Sequence, residues 1–98
     1  MRAAALRIEL HIPASRSLKA KRSVVRPIVE GLRRRMSVSV AEVDHHDTWQ
    51  RAAIGVALVA PDQPHLEQLI QAVGDYVDSH EPEAVVIEMS VAYLEEPG

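Results

Sequence analysis

The chain contains no cysteine, no phenylalanine and no asparagine, and its only aromatic side chains are Trp49, Tyr76 and Tyr93. Without cysteine there is no disulfide, no thiolate nucleophile and no Cys-ligated zinc. With so few aromatics, a sheet that reads RNA by stacking bases on it is not expected. Glycine is scarce, and the chain carries no Gly-rich phosphate loop, no GxSxG and no HExxH, so the common nucleotide, hydrolase and metalloprotease signatures are missing. No segment reaches the about 18–20 consecutive apolar residues of a membrane span. The opening MRAAALRIELHI has charge inside its apolar run and reads as a strand, not a signal peptide. The expectation is a cytoplasmic protein of one domain, 1–98, without membrane, cofactor or small-molecule substrate, and not an enzyme.

What the chain has is charge, unevenly placed. Residues 1–35 hold ten lysines and arginines against Glu9 and Glu30, a net of +8; residues 36–98 hold only Arg51 against twelve acids, a net of −11. The overall −3 therefore conceals a polarised molecule whose local field matters more than its isoelectric point. Most of the positive charge lies in RSLKAKRSVVRPIVEGLRRR, residues 16–35. Within it Val25, Ile28, Val29, Leu32 and Met36 fall at the spacing of one helical face, with Lys19, Arg22, Arg26, Glu30 and Arg33 opposite. Ser17 is placed to cap the start. Pro27 conflicts with the pattern, because it cannot donate to the carbonyl of Ser23. Either a helix runs over 18–35 with a kink near Ser23, the reading we favour, or it starts at Ser23 after a basic loop.

Around this segment the apolar residues change period. Leu6, Ile8, Leu10 and Ile12 alternate with polar neighbours, residues 37–43 alternate again, and in 50–60 Ile54, Val56 and Leu58 alternate with Ala53, Gly55, Ala57 and Val59, which gives three strands. The polar Asp44–Thr48 link makes a hairpin of the second and third. Asp62 caps a second helix over 63–79, with Leu66, Leu69, Ile70, Val73 and Val77 as its stripe. Val85, Ile87, Met89, Val91 and Tyr93 alternate in a fourth strand, with Val86, Ser90 and Ala92 on its other side, and Glu95–Gly98 form a loose tail. The order βαββαβ predicts an α+β, ferredoxin-like sandwich: a four-stranded antiparallel sheet with both helices on one face and strand order four, one, three, two.

Two segments, HIPASRSLKAKRSVVRPIVEGLRRR and SVSVAEVDHHDTWQRAAIGVALV, resemble the YlxP-like family of small bacterial proteins of unknown function. The resemblance rests on Ser17, Leu18, Lys19, Lys21 and Arg22 and on Ser39–Ala52. It implies the ferredoxin-like fold and no catalytic residues. The family's genes commonly neighbour those for translation initiation, transcription elongation and ribosome maturation, which implies an RNA or ribosome connection by association.

Arg16, Lys19, Lys21, Arg22 and Arg26 are the candidate nucleic-acid contacts, each able to meet a phosphate of structured RNA and release counterions. The competing reading is a solvated helix face. Arg33, Arg34 and Arg35 sit where cations offset the helix dipole. Asp44, His45, His46 and Asp47 have metal-ligand chemistry, but neighbours on an extended segment point apart, so a polar turn is the better reading. The alternative function is a homo-oligomeric adaptor without nucleic acid. Ala53, Gly55, Ala57 and Ala92 predict a flat small-residue sheet face, and a homodimer buries that face or pairs an exposed edge strand.

Overall fold

The computed structural model describes residues 1–96. Six elements follow one another: β1 (Arg2–His11), α1 (Leu18–Met36), β2 (Ser39–Asp44), β3 (Arg51–Ala60), α2 (Gln63–Asp78) and β4 (Val85–Leu94). The strands form one antiparallel sheet in the order β2-β3-β1-β4, as the alternation predicted. Part of the tail expected to be loose, residues 97–98, lies outside the described residues.

Period two decides the sheet faces. Ala4, Leu6, Ile8 and Leu10 of β1 and Ile54, Val56, Leu58 and Ala60 of β3 are buried, and they join Val25, Ile28 and Leu32 of α1 with Leu66, Val73 and Val77 of α2 in one core. Both helices therefore lie on the same side. Removing each of the Val, Leu and Ile side chains from water contributes about 1.5–3 kcal/mol. Ser17 caps α1 by accepting from the Ala20 N–H at 3.0 Å, and Asp62 caps α2 by accepting from the His65 N–H at 2.9 Å. Pro27 stands inside α1, which is one helix through that point; the start at Ser23 is excluded. Gly31 of α1 lets α2 approach, because a Cβ there would overlap the Tyr76 hydroxyl.

Two bulges overturn the faces expected from strict alternation. In β4, Glu88 pairs with Glu9 but Val86 pairs with Leu10, so Ile87 is an extra residue. Val86 turns toward the core, while Ile87 is exposed. This is the reverse of the expectation for Val85, Val86 and Ile87. In β2 the register shifts between Glu42 and Asp44. Val43 consequently lies over Gly55, where a Cβ would come within 2.8 Å of its Cγ1.

The flat small-residue face is corrected as well. Ala53 is already fully buried and Gly55 lies under Val43, so of the three β3 residues only Ala57 is exposed.

Candidate nucleic-acid interface

The basic segment divides by helical position. Lys19, Arg22 and Arg26 project from the side of α1 away from the core, and Arg16 stands exposed just before the cap. Along the axis the three helical cations are about 4.5 and 6 Å apart, at about 1.5 Å rise per residue. None of Arg16, Lys19, Arg22 and Arg26 forms an ion pair among the described residues. Arg22 and Arg26 also line a groove of about 380 Å³ between α1 and β2, together with Val25, Val29, Arg33 and Ala41 and with the carboxylates Glu30 and Glu42.

Lys21 does not belong with them. Its side chain is 1 % exposed, and its Nζ donates to the carbonyls of His45 at 2.7 Å and His46 at 3.3 Å, with Glu42 at 3.9 Å. The expectation that Lys21 meets a phosphate is therefore corrected: it is the polar tie between α1 and the β2–β3 hairpin. Burying an ammonium is tolerable only with such partners. The sequence held the signal. Lys21 precedes Val25 by four residues and Ile28 by seven, in line with the buried stripe.

The last turn is also partly committed. Arg33 donates to Glu30 at 2.9 Å and to the Val40 carbonyl at 2.8 Å. Arg35 lies over the Tyr76 ring at 5.2 Å, within cation–π range.

The hairpin end and the open sheet face share a network that the sequence did not reveal. Arg7 donates to Glu9 at 2.8 Å and to Asp44 at 2.9 Å, and so spans from β1 to β2 across Ala53 and Gly55 of β3. Only small residues on β3 leave room for that crossing. Glu9 also accepts from Arg51 at 3.2 Å and lies 3.0 Å from His45 Nε2. Burial pushes the Glu9 carboxyl upward, but hydrogen bonds from Arg7, Arg51 and His45 outweigh it and hold the group below its ordinary value. Asp44 is held low by the His45 N–H and then by Arg7.

His45 has a left-handed backbone, φ 62°, and its ring faces Glu9, whereas His46 Nε2 faces Glu42 at 3.8 Å. The two rings serve different carboxylates. Among the described residues no group of three or more His, Asp or Glu side chains is arranged to hold a metal ion, and no helix is long and apolar enough to cross a membrane.

Residues 3–91 match the family model described as Protein of unknown function (DUF503). The chain belongs to the DUF503 family. The Uncharacterized protein YlxP of Bacillus subtilis (strain 168) is 36 % identical over 63 residues, which are 64 % of this chain and 68 % of that protein. The YlxP-like resemblance of the basic segment and the hairpin is thus borne out as family membership. Among solved structures, a protein assigned as a chlorite dismutase matches 95 % of the chain with a TM-score of 0.65 at 11 % identity. The chain spans 44 % of that protein's length. The de novo designed protein LFR1 1, with ferredoxin fold, matches all of the chain and 89 % of its own, with a TM-score of 0.58 at 8 % identity. At such identities these two structures speak for the fold alone, and the fold they support for this DUF503 chain is the ferredoxin-like one.

Proposed function

We propose that this DUF503 protein binds the backbone of structured RNA, including RNA of the ribosome, through the outer side of α1. The observation that carries the reading is the set of Arg16, Lys19, Arg22 and Arg26: exposed, clustered and in no ion pair among the described residues. Phosphate oxygens satisfy such cations with little sequence preference, and the counterions released supply much of the affinity. Recognition by base stacking has no support, since β1 and β3 carry no aromatic residue. The function is binding, and no reaction is assigned. The test is titration of a ribosomal RNA hairpin with the parent chain and with Lys19→Glu/Arg22→Glu/Arg26→Glu. The variant should fold normally and lose at least tenfold in affinity. Equal affinities would overturn the reading.

A second reading, self-association as a homodimer, is favoured by a different observation. Four of the large apolar side chains left exposed, Ile87, Met89, Tyr93 and Leu94, lie together on β4.

A further inference from the structure

The sheet has two edges, and they are not alike. β2 is six residues long, is interrupted by the bulge at Val43, and has the Arg33 guanidinium across it on the Val40 carbonyl. Short length, a bulge and a cation are the devices that stop an edge strand from pairing with another chain. β4 is ten residues long, contains neither proline nor a cation, and has its bulge at Ile87 near one end, so that Glu88–Leu94 is regular. Among the described residues no side chain hydrogen-bonds to its backbone. A regular, apolar edge is a template for a further strand.

We infer that β4 pairs antiparallel with β4 of a second copy, about a two-fold axis through Val91, joining the two sheets into one of eight strands. This rests on the homodimer reading and gives it a geometry. The register follows from the bulge. Pairing with β1 is regular from Glu88 to Leu94 and breaks at Ile87, so the regular stretch has Val91 at its midpoint. A two-fold there sets Val91 against itself, Met89 against the partner's Tyr93, Ser90 against the partner's Ala92 and Glu88 against the partner's Leu94.

Each pairing is chemically acceptable. The two Glu88 carboxylates stay apart, whereas an axis through Glu88 would oppose them, which destabilises a sheet. On the helix side Met89, Val91 and Tyr93 of both copies form one apolar stripe, with thioether and aromatic ring in apposition. Beside Met89 lies a groove of about 210 Å³ between β4 and α2, lined by Ile70, Gly74 and Val86 among others. Gly74 leaves its wall low, for a Cβ there would already touch Met89 at 3.9 Å. The partner's Tyr93, opposite Met89, is placed to fill it. The alternative, face-to-face stacking of the open sheets, would bury the Arg7–Glu9–Asp44–Arg51 charges, which are expensive to desolvate.

A chain without cysteine makes the test direct. Val91→Cys places two thiols at directly opposed positions, whose Cα atoms are about 4.5–5.5 Å apart in antiparallel sheets and within disulfide reach. Mild oxidation should convert this variant to a covalent dimer. Glu88→Cys/Leu94→Cys, at two exposed sites, should cross-link likewise. Ser90→Cys should not, because the two copies of residue 90 are displaced along the strands beyond disulfide reach. Sedimentation should show a dimer for the parent and a monomer with an unchanged circular dichroism spectrum for Val91→Lys. A monomeric parent at high concentration would overturn both the homodimer reading and this geometry. A dimeric parent without cross-links at Val91 or at Glu88/Leu94 would overturn the geometry alone, as would cross-linking at Ser90 in place of Val91.

Discussion

The Nζ of Lys21 donates to the carbonyl oxygen of His45 at 2.7 Å, across 24 residues of chain. That bond fixes the start of α1 against the turn between β2 and β3. It also separates the basic segment into a structural cation and a set of exposed ones. The two kinds should respond oppositely to mutation.

Lys21→Ala should destabilise the protein by about 3 kcal/mol, the range for losing hydrogen bonds to a charged group and leaving buried acceptors unmet. Lys19→Ala, two residues earlier and exposed, should change stability by less than about 0.5 kcal/mol. Urea unfolding of the two variants measures the contrast. Similar midpoints would show that the tie carries no stability.

The carboxyl of Glu9 should set part of the acid limb of stability. Its folded-state value lies below the ordinary 4.5, so the unfolded chain takes up a proton first as pH falls. The stabilisation is therefore complete above about pH 4.5 and is lost as pH drops through the depressed value. Asp44 and Asp62 are depressed too and act in the same direction. Glu9→Gln should be less stable than the parent at pH 7, and the two should converge on acidification. Parallel stability curves between pH 7 and pH 3 would contradict the network's role.

Pro27 occupies an interior position of α1, is exposed, and cannot donate to Ser23. Pro27→Ala should raise the thermal midpoint, with a gain of up to about 3 kcal/mol, the interior penalty for proline. A neutral or lowered midpoint would show that the turn around Ser23 has accommodated the ring at no cost.

The fold was legible where one face of a strand is buried and the other is not. β1 and β3 keep their core residues at every second position because a slip by one residue would expose every core side chain. Both helices were legible from their stripes and from the caps Ser17 and Asp62. The bulge at Ile87 was not, since Val85-Val86-Ile87 is apolar at either parity and no residue type marks the extra position. The open-face network was hidden for another reason. Arg7, Glu9, Asp44 and Arg51 are far apart in sequence, and only the β2-β3-β1 order brings them together. At the candidate interface, Arg16, Lys19, Arg22 and Arg26 are exposed as expected, whereas Lys21 was grouped with them by attention to charge over helical phase.

The salt dependence of RNA binding tests the account most directly. Four cations meeting phosphates should give a slope of log affinity against log salt of about −3, from about −0.7 to −0.9 per contact. Lys19→Glu/Arg22→Glu/Arg26→Glu should flatten that slope toward zero, while Arg34→Glu should leave it nearly unchanged. A parent slope near zero, or one that the triple variant leaves intact, would contradict binding through α1.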